Sequence, residues 1–99
     1  MKVLQWTMTI PEKRQEAFVA WFKEKAAPAF EKFGAIKHGL YKEKNKNVFI
    51  ERLSFVDCFE VKDFFAEVKA DPEARKLSRM YEGDFGARNV ELKILEKVC

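Results

Sequence analysis

The sequence predicts an α+β domain in which an antiparallel sheet carries two helices on one face, and three observations carry that reading. Residues 3–10 alternate strictly, with Leu4, Trp6, Met8 and Ile10 against Val3, Gln5, Thr7 and Thr9, a period of two that marks a strand with one apolar face. Phe18, Trp21, Phe22, Ala26, Ala29, Phe30 and Phe33 then recur at intervals of three and four, the spacing of one helical face. The same alternation of periods repeats through the second half, so that the chain reads β-α-β-β-α-β. Right-handed crossovers turn that order into a ferredoxin-like sheet. Residues 1–99 form one such domain, with no linker, repeat or low-complexity tract.

Each element has its own punctuation. After the first strand, Thr9 and Glu12 have capping-box spacing and Pro11 suits a first helical turn, where its missing N–H costs nothing. Pro28 should kink or restart the helix, because its ring blocks a preceding carbonyl, and Gly34 should end it. Strands are predicted over 36–43 and 48–56, joined by Lys44-Asn45-Lys46-Asn47, whose asparagines tolerate the positive φ of a tight hairpin. Asp57 and Glu60 form a second capping-box pattern, opening a helix with Val61, Phe64, Phe65 and Val68 as its buried stripe. Asp71-Pro72 marks a break with a fresh cap, carrying Leu77 and Tyr81 onward to Gly83. A last strand, within 87–98, sets Val90, Leu92, Ile94 and Val98 against Glu91, Lys93 and Lys97.

Composition narrows the function classes. Ninety-nine residues can bury about 65% of their unfolded surface, so neither a disulfide nor a metal is needed for folding. The 19 Lys and Arg are interspersed with 16 Asp and Glu, as in "PEKRQE" and "PEARK", which reads as a solvated surface rather than a nucleic-acid footprint. Cys58 and Cys99 stand far apart without a CxxC pattern, as expected of reduced thiols in the cytoplasm. The longest wholly apolar run is six residues, Ala17 to Phe22, so neither a signal peptide nor a membrane span is expected. "DFG" at Asp84 to Gly86 is turn chemistry, since a chain this short without a Gly-rich loop is no kinase. An RNA-recognition module would carry a Gly-containing aromatic motif on its third strand; "NVFIERLSF" has no Gly and places Glu51 where a phosphate backbone would pass.

That third strand is apolar on both sides, with Val48 and Ile50 on one and Phe49, Leu53 and Phe55 on the other. Two helices cover only one face, so a second subunit is expected on the bare face, in a sheet-to-sheet homodimer.

The chain resembles the dimeric α+β barrel superfamily, and most of all its antibiotic-biosynthesis-monooxygenase-type domains. The resemblance rests on "TIPEK" at the first strand-to-helix junction, "FGAIKHGLY" at the helix-to-strand turn, "FIERLSFVD" in the third strand and "ADPEARK" in the second helix. It implies a dimeric barrel and, among several chemistries, cofactor-independent oxygenation or cyclisation of aromatic and polyketide-like compounds. Haem-degrading members carry an Asn on the first strand and a His on the second helix. Here the first strand offers Gln5 and Thr7, and residues 58–82 contain no histidine, so that chemistry is not expected. Cyclising members use His and Tyr side chains in the cavity between sheet and helices, where His38, Tyr41 and Tyr81 are the comparable groups.

His38 is the only histidine. If Glu43 pairs with Val48 across the hairpin, His38 faces Leu53 and lies diagonal to Glu51, on the face that carries Leu40 and Phe55. An odd loop length would separate the pair. An imidazole beside a carboxylate in aromatic surroundings is equipped to act as a general base, with His38 as the base and Glu51 orienting it. Tyr41 or Tyr81 would supply a hydrogen-bond donor, and Trp6 and Trp21 would form walls for a flat aromatic ligand. No metal and no bound organic cofactor is expected. The competing reading is structural: His38 as a packing residue, Glu51 and Arg52 in salt bridges, and the tryptophans as core, in a non-catalytic ligand-binding or structural dimer.

Overall fold

Alternation in residues 2–9 makes β1 (Lys2–Thr9), whose Leu4 and Met8 are buried under the helices, and β1 takes a central place in the sheet. The computed structural model describes residues 1–99. β3 (Val48–Phe55) pairs with β1 on one side and with β2 (Lys37–Lys42) on the other, while β4 (Arg88–Glu96) pairs with the remaining edge of β1. The order is β2-β3-β1-β4 and every pairing is antiparallel, the ferredoxin-like arrangement expected.

Between β1 and β2 the chain forms α1 (Glu12–Trp21), a π-helical turn over Phe22–Ala26, and α2 (Ala27–Glu31). In a regular α-helix the Pro28 ring would collide with the carbonyl four residues earlier. The wider π turn immediately before it relieves that collision without ending the helix, and Pro28 sits in the first turn of α2. The expected break is therefore a bulge, and Phe18, Trp21, Phe22, Ala26, Ala29 and Phe30 all remain buried on one side. Gly34 then terminates the run at φ 101°, where a Cβ would come within 2.9 Å of the Phe59 ring.

Two caps differ from expectation. Thr9 stays in β1 and Pro11 is the cap residue of α1, with no side-chain bond to the helix. The turn is secured instead by Gln15, whose amide donates to the Ile10 carbonyl at 2.9 Å and to Asn47 Oδ1 at 2.8 Å. Asp57 pairs with the N-terminal ammonium, and α3 (Val61–Ala70) begins only after Glu60, so the second capping box does not form. The Asp71 cap does form. Its carboxylate accepts from Ala74 N–H at 2.9 Å, opening α4 (Pro72–Gly83), and the Ala74 amide, with Lys32 Nζ at 3.0 Å, holds that carboxyl below its ordinary range.

In the β2–β3 hairpin, Glu43 N–H bonds the Val48 carbonyl at 2.9 Å around a four-residue loop with Asn45 at φ 62°. This sets His38 opposite Leu53 and Leu40 opposite Glu51, as the sequence predicts. Phe49, Leu53 and Phe55 point beneath the protomer's own helices. The aromatic side of β3 is thus covered within one chain, which corrects the argument that a second subunit is needed to keep rings dry. The uncovered face carries Val3, Val48 and Ile50 with Gln5 and Arg52, which bond each other at 2.7 Å.

β4 holds a bulge opposite Thr7–Thr9, with Asn89 at φ 54°. Its Val90, Leu92 and Ile94 lie on the helix-side face but beyond the reach of the helices, and stay exposed; Val98 falls past the strand. The Asp84-Phe85-Gly86 triplet is a turn after α4, with Gly86 at φ 69°.

The core is an aromatic cluster centred on Phe18, which meets Phe49, Tyr81 and Phe85 edge-on at centroid distances of 5.3, 5.9 and 5.6 Å. Phe18→Ala is expected to cost about 3–5 kcal/mol in urea unfolding, the range for a buried ring left as a cavity. A cost below about 1 kcal/mol would show that the cluster collapses freely around the loss.

A buried carboxylate and its partners at the candidate functional site

Glu51 lies mid-strand in β3 with its side chain pointing under the helices, where its relative exposure is only 5%. A carboxylate in such a place needs donors. Two supply them: the Tyr81 hydroxyl from α4 donates to Oε1 at 2.9 Å, and His38 Nε2 from β2 stands 2.7 Å from Oε2. The other ring nitrogen of His38, Nδ1, is 3.3 Å from Glu31 Oε2 at the end of α2. The His38 side chain is 1% exposed, and the Phe22 ring from the π turn packs on it edge-on at 5.0 Å. Strand register brings His38 to Glu51, and the helix bulge brings Phe22 and Glu31 to His38.

Glu51 and Tyr81 line a cavity of about 220 Å³ between the sheet and α3–α4. Its walls are Trp6, Met8, Phe30, Leu53, Phe64, Phe65 and Val68, and exposed Ser78, Glu82 and Val90 mark its mouth. No Lys, Arg or His reaches it. His38 is not part of the wall. It stands behind Glu51, and the residue, with its ring turned inward, borders an open groove between the first helix and β2 instead. The carboxylate faces the cavity, and the imidazole, expected to meet a ligand itself, stands behind the carboxylate.

The remaining sequence-predicted residues divide. Trp6 and Tyr81 are in the cavity wall. Trp21 is not; it packs among Phe18, Phe85 and Tyr81, perpendicular to the Tyr81 ring at 5.0 Å, so it braces the tyrosine from behind as a core residue. Its indole N–H has no hydrogen-bond partner. Tyr41 is not brought into the site either. Its odd position in β2 turns it away from the His38 face, its ring folds over Gly39, and it is 57% exposed, contributing only to the outer groove. Glu31 carried no sequence signal, since a charged residue ending a helix ordinarily faces water.

Glu31 and Glu51 flank opposite sides of one imidazole and cannot converge on an ion. No group of three or more His, Cys, Asp or Glu side chains in the structure could hold a metal.

Burial pushes the Tyr81 hydroxyl well above its ordinary pKa of 10.0, with the adjacent Glu51 adding to the shift. Above pH 10 the unfolded chain releases this proton while the folded chain keeps it. The stability Tyr81 contributes is therefore complete below pH 10 and is lost as pH rises from there toward the folded value. Tyr81→Phe should flatten that alkaline loss in chemical unfolding between pH 9 and 11, while costing about 1–3 kcal/mol at neutral pH because Glu51 loses a donor. An unchanged alkaline slope would show that Tyr81 titrates as an ordinary phenol.

No family model matches the chain. No curated protein matches it either. Solved structures do. An antibiotic biosynthesis monooxygenase superimposes with a TM-score of 0.76 at 10% identity over 100% of both chains. An uncharacterised NIPSNAP domain protein from Burkholderia xenovorans gives 0.77 at 12% identity, over 100% of this chain and 96% of the other. A dimeric ferredoxin-like protein from an uncultured marine organism gives 0.69 at 14% identity, over 100% and 96%. At such identities the likeness speaks for the fold alone. The chain has a ferredoxin-like α+β fold over its whole length, similar to that of these structures.

Proposed function

We propose that the chain binds a small, uncharged, hydroxylated aromatic compound in the cavity under α3–α4 and removes a proton from it. The observation that supports this best is the buried Glu51 carboxylate at the wall of an otherwise apolar cavity, with Tyr81 beside it. Glu51 is the base, and Tyr81, which keeps its own proton and donates to Oε1, and His38 hold Glu51 in place. Proton abstraction from an activated carbon or phenol is the opening step that a cofactor-independent monooxygenase- or cyclase-like reaction requires.

Size and charge narrow the ligand. An apolar cavity of roughly 150 Å³ accommodates benzene, so one of 220 Å³ suits one or two rings rather than a tetracyclic polyketide. With Glu51 and Glu82 at its wall and no cation, the cavity disfavours a carboxylate ligand. A second reading is a non-catalytic ligand-binding homodimer of the same fold. It is favoured by the fact that both Glu51 oxygens already have protein partners, as in a satisfied structural network.

The assembly we infer is a homodimer. Exposed Val90, Leu92 and Ile94 on β4, with Val3, Val48 and Ile50 on the uncovered face, form apolar surface that a second copy would bury. No helix is long and apolar enough to cross a membrane, and both cysteines are free and exposed, which accords with a cytoplasmic location.

2-Naphthol should raise the melting temperature, gaining about 2.7 kcal/mol at a hundred times its dissociation constant, whereas 2-naphthoate should give no shift. Glu51→Gln should weaken the naphthol effect. If neither ring compound shifts the transition, the ligand-binding reading falls; if naphthol binds equally to Glu51→Gln, Glu51 is not the group that meets it and the non-catalytic reading is preferred. Light scattering at micromolar concentration should return twice the monomer mass of 11.6 kDa, and a stable monomer there would remove the dimer.

A further inference from the structure

His38 has a hydrogen-bond partner at each ring nitrogen, and the two partners differ in their access to water. Glu51, at Nε2, is 5% exposed; Glu31, at Nδ1, is 48% exposed. The ring between them is sealed, with Phe22 packed on it, and neither nitrogen has any other polar partner. A carboxylate buried at a cavity wall that accepts protons must also lose them. With a ligand in the cavity, its 5% exposure leaves little direct route to water.

We propose that Glu51, His38 and Glu31 form a proton relay connecting the buried end of the cavity with bulk water. This rests on the reading of Glu51 as the base. In the outward direction the X–H bond of the ligand breaks and its proton joins Glu51. With Nε2–H on Glu51 and Nδ1–H on Glu31 at the start, the ring answers each proton taken up by Glu51 by releasing one from Nδ1 to Glu31, and Glu31 gives it to water. The imidazole ends neutral, with Nε2–H still on Glu51. Transfer in reverse, when Glu51 reprotonates a product atom, returns a proton to Nδ1, so the ring can serve successive cycles without rotating in its packed slot. The π turn and Pro28 matter here, because they set the end of α2, and with it Glu31, against Nδ1. Glu31 and His38 act through Glu51 and are relay residues, not groups that touch the ligand.

The relay is testable without a substrate, because His38 is the only histidine and its ring signals need no assignment. In protein carrying ¹⁵N-labelled histidine, exchange of the ring N–H protons with water can be read by NMR. Glu31→Gln keeps the shape and an acceptor oxygen but cannot take up a proton. It should slow that exchange by about tenfold or more, a modest share of the ~10²–10⁴ that positioned proton transfer supplies. Glu31→Asp, which keeps the carboxylate, should restore most of the rate. Exchange as fast in folded Glu31→Gln as in the parent overturns the relay, as does slow exchange in a folded Glu31→Asp protein. Binding of 2-naphthol is measured on the same samples. If exchange slows as expected but naphthol does not bind, the path through His38 stands and the proposed function fails; if naphthol binds and exchange is unaltered, the reverse holds.

Discussion

The constraint on which the rest of the structure depends is the placing of one carboxylate, Glu51, in the middle of an aromatic core. An unpaired charge there would cost several kcal/mol, and breaking a buried pair by removing one partner typically costs about 3–5 kcal/mol. The fold meets this by drawing a donor from β2 and another from α4 onto the two oxygens. The β2–β3 hairpin and α4 are thereby held in one arrangement. Slippage of the hairpin by one residue would turn His38 to the opposite face and leave Glu51 without its shortest contact.

Packing serves the same end. Trp21 and Phe18 stand edge-on to Tyr81 and hold its hydroxyl toward Glu51, and Phe22 does the same for the imidazole. The helix that supplies these rings would be interrupted by Pro28 if it were regular. The π turn lets it continue, and it is this irregularity that puts Phe22 on the imidazole face and Glu31 at its edge. The buried stripe from Phe18 to Phe30 thus runs on across the bulge.

The hydrogen bonds that satisfy Glu51 also tie β2 and α4 to β3, so the cavity wall and the core share one set of contacts. What distinguishes it from an ordinary polar network is the largely apolar cavity on one side of Glu51 and the line through His38 to Glu31 on the other. The exposed aliphatic residues of β4 lie beside the cavity mouth at Val90, so a covering subunit would also restrict access to the cavity.

Much of this was legible in the residues alone. Alternation in Leu4 to Ile10, the aromatic stripe from Phe18 to Phe33, the Asp71-Pro72 cap and the four-residue asparagine loop determine the elements and their order, because each depends on neighbours a few positions away. That loop also determined the pairing of His38 with Leu53 and its diagonal approach to Glu51, since strand register follows from loop length. The sequence did not separate Tyr41 from Tyr81, did not show that Glu51 rather than His38 meets the cavity, and hid Glu31 altogether. Those depend on how far α3 and α4 stand off the sheet and on where a bulged helix ends. Both are properties of long-range packing, which no local spacing encodes; only the tertiary structure decided them.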